Sequence, residues 1–178
     1  MSKNGLILLT PTSASSSEGT TTINANGSIS LTNVQYLRVE GVFSADYDNY
    51  MIVAHYDPAS LTAWQIRLMS GSTIDGASNY TTQILTVDST TVSAYRTGPG
   101  GNWVCNYGDT TANGCVYYLY GPYLAQPTAI RCVDAGSRNG AYINDIAGTH
   151  SLSSSYDGIF MWVGAACTGR VAVYGMRK

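Results

Sequence analysis

Lysine is nearly missing from this chain, occurring only at Lys3 and Lys178, and glutamate is as scarce, at Glu18 and Glu40. Charged residues make up 11% of the 178 positions and the formal net charge is −2. A nucleic-acid surface needs clustered Lys and Arg, and the seven arginines are scattered, which excludes that partner. No apolar run is long enough to cross a bilayer, so no membrane insertion is expected. The short run Gly5-Leu-Ile-Leu-Leu9 is below the length of a secretory apolar core, and no typical cleavage site follows closely. Helix formers are scarce as well. Tyr, Thr, Ser, Gly and Asn dominate instead, a composition that suits pleated strands and turns.

Cysteine is present without pattern. Cys105, Cys115, Cys132 and Cys167 are separated by 10, 17 and 35 positions, which fits no common zinc site. Cys132 sits in the strand-like Ala129-Ile-Arg-Cys-Val133 and reads as a small buried hydrophobe. A Cys105–Cys115 bridge across the Asn106–Gly114 turn is one reading. Four free thiols is the other, and the expected one for a protein assembled in a cytoplasm.

What is there is alternation. Trp64-Gln-Ile-Arg-Leu68 alternates apolar and polar residues, and Tyr36-Leu-Arg-Val-Glu40 and Arg170-Val-Ala-Val-Tyr174 read the same way, with the period of a strand with one buried face. Strands are expected at 29–32, 35–42, 49–56, 62–70, 79–87, 90–96, 102–107, 115–121, 128–134, 158–164 and 170–177. Turn pairs punctuate them, among them Asp57-Pro58, Asp75-Gly76, Asn113-Gly114, Gly121-Pro122, Asn139-Gly140 and Asp157-Gly158. Short strands at such spacing predict an all-β chain, a single antiparallel β-sandwich of jelly-roll type. The run Tyr50-Met-Ile-Val-Ala is apolar throughout, which predicts a central strand covered on both faces or facing a subunit. A length of 178 residues suits one domain with a real core.

Residues 1–30 read differently. After Leu6, Ile7, Leu8 and Leu9 comes the polar, low-complexity Pro11–Thr22, which is too poor in apolar residues for a core. This is an extended N-terminal arm for attachment or assembly. Its four apolar residues would dock on the sheet of the 31–178 domain or on a neighbouring subunit.

Chemistry is thin. His55, on an apolar strand, reads as a structural imidazole, and His150, in Gly148-Thr-His-Ser-Leu152, as a solvated loop residue. No Gly-x-Ser-x-Gly elbow occurs. Asp46, Asp48 and Asp145 could supply oxygens to a calcium ion, but the twelve-residue loop pattern is missing, and Asx turns explain them more simply. The expectation is therefore no enzyme, no metal and no cofactor. The aromatic supply is more suggestive. Tyr117 and Tyr118 must face opposite sides of their sheet. Trp103, Tyr118, Tyr120 and Tyr123 are the candidates for glycan or subunit contact, because each joins an apolar body to a polar tip.

Two segments carry a family resemblance. Phe43-Ser-Ala-Asp-Tyr-Asp-Asn-Tyr50 between apolar strands, and the closing Gly169-Arg-Val-Ala-Val-Tyr-Gly-Met-Arg177, resemble the small β-sandwich domains of tailed-bacteriophage virion proteins, and Gly121-Pro-Tyr-Leu-Ala-Gln-Pro-Thr128 has a similar flavour. The resemblance spans roughly residues 30–178. It implies a non-enzymatic virion component made in the bacterial cytoplasm, a capsid decoration or short head-fibre module forming a homotrimer. Its arm would attach it to the major capsid protein or to tail proteins. The alternative is a tail-fibre or carbohydrate-binding module that recognises a host surface glycan.

Overall fold

A computed structural model describes residues 5–108, 110, 113–136 and 142–178. Among these the chain is all strand. In order they are β1 (Leu6–Leu8), β2 (Ser13–Ser15), β3 (Thr20–Ile23), β4 (Ile29–Glu40), β5 (Tyr47–Pro58), β6 (Thr62–Ser70), β7 (Thr73–Ile74), β8 (Tyr80–Asp88), β9 (Thr91–Gly100), β10 (Trp103–Gly108), β11 (Asn113–Tyr120), β12 (Thr128–Gly136), β13 (Tyr142–His150) and β14 (Gly158–Arg177). Every pairing is antiparallel.

β14 organises the fold. Its first part, Gly158–Trp162, pairs with β6 on one side and with the end of β4 on the other. After a register break it pairs with β5 from Cys167 onward, with the start of β4, and with β1 through Tyr174–Met176. One strand thus belongs to two layers. The narrow layer is β2, β4, β14, β6 and β10. The broad layer runs from β1 through β14, β5, β11, β12, β13 and β8 to β9. The corner falls between Trp162 and Cys167. Gly164 there has φ +74°, a left-handed conformation that glycine adopts without strain, and the Thr62 hydroxyl donates to the Val163 carbonyl beside it.

Between the layers lies one aromatic-rich core. Tyr56 from β5 meets Trp64 from β6 with ring centroids 4.1 Å apart, and Tyr80 meets the Trp103 ring edge-on at 5.0 Å. The alternation read from the sequence is that of the burial: in β12 Thr128, Ile130, Cys132 and Asp134 point inward, and Arg131, Val133 and Ala135 outward. All four cysteines are buried and free. Burial is the leading reason that the Cys105 and Cys132 thiols lie well above their ordinary pKa and that Cys167 is pushed up to about 12, which keeps them unreactive.

Several expectations change. The segments 29–32 and 35–42 are one strand, β4, as are 158–164 and 170–177 in β14. Asn113-Gly114 opens β11 rather than forming a turn, while Asn139-Gly140 lies outside the described residues. β5 is central but covered on one face only, since Val53 and His55 are exposed between buried Ile52, Ala54 and Tyr56. His55 is therefore a surface residue. The largest change is β13, a full strand where loop residues were expected. Its inward positions are Tyr142, Asn144, Ile146, Gly148 and His150, and its outward positions Ile143, Asp145, Ala147 and Thr149. Both faces mix polar and apolar residues, so no clean alternation marks the strand.

The residues 5–30 lie along the chain's own sheet. Leu6 and Leu8 pair with Met176 and Tyr174, while β2 and β3 pair with opposite ends of β4. Leu9 packs against the core, Ile7 and Leu8 are half-buried, and Leu6 stays 47% exposed.

Gly148 tests the packing. A Cβ there would meet the Trp103 ring at 2.7 Å and the Thr81 carbonyl at 2.9 Å, whereas a Cβ at Gly114 meets nothing within 4 Å. Gly148→Ala is expected to cost about 1–3 kcal/mol by overpacking, and Gly114→Ala to change stability by less than about 0.5 kcal/mol. Urea denaturation of the two variants checks the contrast.

Candidate assembly surface

The outer face of the broad layer is the feature of this molecule that the fold itself does not use. Pairing registers align its outward residues in rows across the strands. One row runs Ala172, Val53, Val116, Val133, Asp145, Leu85, Ala94. Beside it, Ala135, Ile143, Val87 and Val92 face outward on β12, β13, β8 and β9. On the other side Leu8, Tyr174, Met51 and Tyr118 lead to Arg131 and Ala147. Ile143 is 51% exposed, Val133 45% and Leu85 46%. A fourth row, Leu6, Met176, Asn49, Tyr120, Ala129, Thr149 and Thr81, is more polar, and His55, Gln83 and Arg96 lie at the ends of the others. Eight strands about 4.8 Å apart and four rows about 6.8 Å apart give a sheet face of about 34 Å by 20 Å, or about 700 Å², of mixed apolar and polar surface. That is close to the size of one side of a standard protein–protein interface.

Its charges are few and mutually engaged at the centre. Arg131 donates from Nε and Nη2 to both oxygens of Asp145, at 3.1 and 2.6 Å. Asp145 is thus a strand residue with a guanidinium partner, not a loop ligand, and Asp48 meets Lys178 at 3.0 Å at the rim. Among the described residues no three metal-ligating side chains converge. The narrow layer's outer face is treated differently. Arg38 lies over the Tyr36 and Phe160 rings, with Arg67 also over Phe160, at 5.8–6.0 Å. These guanidiniums cap its aromatics with polar groups.

The candidate aromatics separate on this frame. Trp103 is fully buried, donates from Nε1 to the Thr149 carbonyl at 3.1 Å, and is not available for any contact outside the core. Its alternating segment put it on the inner side of β10, which a lone glycine-rich neighbourhood does not reveal. Tyr118 is half-buried on the outer face, Tyr120 is exposed at its end, and Tyr123 is half-buried in the β11–β12 connection. Tyr117 is fully buried, with Oη 2.9 Å from Cys115 Sγ. The tryptophan that does reach solvent is Trp162, on the narrow layer where Gly158–Trp162 pairs with β6. The strong apolar context of Phe160-Met-Trp-Val163 conceals it in the sequence. Tyr120, Arg131, Ala147, Thr149, Gln83 and Arg96 line a shallow 450 Å³ depression on the broad face.

His150 is not a loop residue. Its ring is fully buried at the end of β13, tilted against Tyr80 and edge-on to Trp103 and Tyr156. Nε2 lies 3.1 Å from Asp75 Oδ2, which also accepts the Tyr156 hydroxyl at 2.6 Å. The Ala77 N–H caps Asp75 Oδ1, and the Tyr80 hydroxyl donates to the Asp75 carbonyl. Burial lowers the His150 pKa despite the neighbouring carboxylate. For Asp75, burial raises the pKa, but the bonds from Tyr156, Ala77 and His150 outweigh it and leave it lowered. A neutral imidazole donating to a carboxylate fits both. A hydrolytic relay needs the imidazole's second nitrogen on a nucleophile, and no partner lies on Nδ1 among the described residues. The cluster pins the loop carrying Asp75 and the segment carrying Tyr156 to β13. A second buried network does the same deeper in: Asn144 donates from backbone and side chain to Asp134 at 2.7–2.9 Å and accepts from Thr86 at 2.6 Å.

Both shifts make acid destabilising. The lowered His150 pKa contributes stability that is complete above the unfolded value near 6.5 and is lost as pH falls through the folded value. That of Asp75 is complete above its ordinary value of 3.8 and is lost as pH falls through the lowered folded value. The melting temperature is expected to fall in two steps between pH 7 and 3, and His150→Gln to remove the upper step only. Tyr156→Phe at pH 7 is expected to cost about 1.5–3 kcal/mol, the range for a hydrogen bond to a charged group.

No family model and no curated protein matches this chain. Among solved structures it is similar to the SPRY domain of human HERC1, with 8% identity over 96% of this chain and 99% of that one, at a TM-score of 0.31. It is also similar to the catalytic domain of PdAgaC (10% identity, 97% and 76% covered, TM-score 0.29) and to SCLam, a family GH16 endo-β-1,3(4)-glucanase (12%, 85% and 73%, 0.23). Likeness at this level carries no argument about activity.

Proposed function

We propose that this chain is a non-enzymatic structural module that works by packing its broad sheet face against other subunits of a virion. The observation that carries the reading is the uncovered sheet face of about 700 Å², whose central rows carry Val53, Val116, Val133, Ile143, Leu85 and Val92 and whose central charges pair as Arg131–Asp145. A surface of this size and character is stabilised by being covered. The sequence resemblance to tailed-phage sandwich domains supplies the setting: a capsid decoration or short head-fibre module, assembled in the host cytoplasm, with copies of itself and the capsid or tail proteins as partners. The arm's outward Leu6 and Leu8 extend the same face, so attachment and packing use one surface.

A second reading has its own observation. The depression between Tyr120 and Arg96 sets an exposed aromatic beside two guanidiniums and the polar groups of Thr149 and Gln83, which is suitable chemistry for a host surface glycan. Tyr120→Ala and Arg96→Ala would abolish cell-surface or glycan-array binding under this reading and leave particle association intact.

The principal test is sedimentation. In density gradients of the phage whose genome carries the chain, it is expected to band with particles. Val53→Asp combined with Val133→Asp keeps an unchanged circular dichroism spectrum and is expected to lose particle association by at least about tenfold, because each change buries an unpartnered charge at the contact. Wild-type chain found only in the soluble fraction would overturn the proposal.

A further inference from the structure

Among the described residues β9 is hydrogen-bonded to β8 alone, and its other edge is open. Thr91–Arg96 are exposed on both faces, with Val92 reaching 65%. Open edges invite strand addition, and proteins that remain monomeric blunt them with lysine, proline, bulges or a cover. In β9 those devices sit at one end. A register break falls opposite Thr97–Gly100, and Pro99 follows a cis bond there. The six residues Thr91-Val-Ser-Ala-Tyr-Arg96 have none, and carry one charge, at the far end.

The turn fixes which backbone groups face outward. Asp88 and Thr91 close a two-residue hairpin turn, and φ +56° at Ser89 is that of a turn of the mirror-image class. The closing pair exchanges both hydrogen bonds, and such pairs alternate along the ladder. Thr91, Ser93 and Tyr95 therefore bond to β8, and Val92, Ala94 and Arg96 present their N–H and C=O groups to the open edge.

We propose that β9 is the joining edge between two copies of this chain, paired antiparallel about a two-fold axis at Ala94. In this register Ala94 meets its own symmetry mate, and Val92 lies opposite the partner subunit's Arg96, whose aliphatic stem covers it. Three such pairs exchanging two bonds each give about six backbone hydrogen bonds. A register centred on Arg96 would oppose two guanidiniums, and one centred on Val92 would shorten the paired stretch. The occupant is a second copy rather than a foreign strand because the outer rows end at β9. Val92 and Ala94 are their last members, so a two-fold there joins the apolar rows of two sheet faces of about 700 Å² into one continuous surface of about 1,400 Å². This deepens the assembly reading and rests on it for its purpose. It predicts a dimer where the family resemblance implies a trimer.

Light scattering on the intact chain tests it. Wild type is expected as a dimer. Ala94→Pro removes an N–H donor from the open edge without touching the β8 ladder, and Val92→Lys places an edge charge there. Each is expected to weaken dimerisation by more than about tenfold. If Ala94→Pro fails to fold, Val92→Lys decides. Ala94→Cys gives an independent readout. Cα atoms in a hydrogen-bonded antiparallel pair lie about 5.5 Å apart, within disulfide reach, and the four native cysteines are buried, so oxidation is expected to yield a covalent dimer. A wild-type monomer, a wild-type trimer, or a dimer indifferent to both edge variants would overturn the proposal. A dimer that never bands with particles would leave it standing and defeat the virion reading instead.

Discussion

The two layers of this sandwich are one hydrogen-bonded sheet, because β14 and β4 run through both. That continuity is the constraint on which the rest depends. A strand that changes layer must turn a corner, and the corner needs the register break after Trp162 and the left-handed Gly164. Once β14 has turned, β5 and β6 are committed to opposite layers, and Tyr56 and Trp64 are brought ring to ring between them. The core follows from the corner.

The layers are unequal, and their inequality produces the uncovered face. The narrow layer carries arginines over its outward rings. The broad layer continues to β13, β8 and β9 and carries valine, alanine, isoleucine and leucine on its outside. In a two-layer sandwich each strand hides one face only. Where outward residues are apolar over several adjacent strands, the missing cover must come from another chain or stay costly. The same stretch of sheet ends in β9, whose Thr91–Arg96 segment carries no lysine, proline or register break.

Partnered polar groups explain why β13 tolerates polar residues on its inner face. Asn144 and His150 face the core because Asp134 and Asp75 meet them there, each carboxylate held by several donors. A polar group buried with its partners costs little, whereas one without them costs several kcal/mol. With those pins in place the inner side of the strand holds Asn144 and His150 beside the apolar Tyr142 and Ile146.

The sequence by itself determined the class of fold: antiparallel strands of alternating character, turns at glycine and proline, an arm of different composition, and opposite faces for Tyr117 and Tyr118. These are local properties, set by the two-residue period of the backbone. Other features depended on tertiary structure. Trp103 is interior and Trp162 exterior, although both sit in aromatic, strand-like segments, because the layer opposite each one decides its burial. His150 is buried and His55 exposed, the reverse of what their neighbours suggest, since Asp75 reaches His150 from 75 residues away in the chain. The broad apolar face exists only in the aligned registers of eight strands, and no single strand contains it.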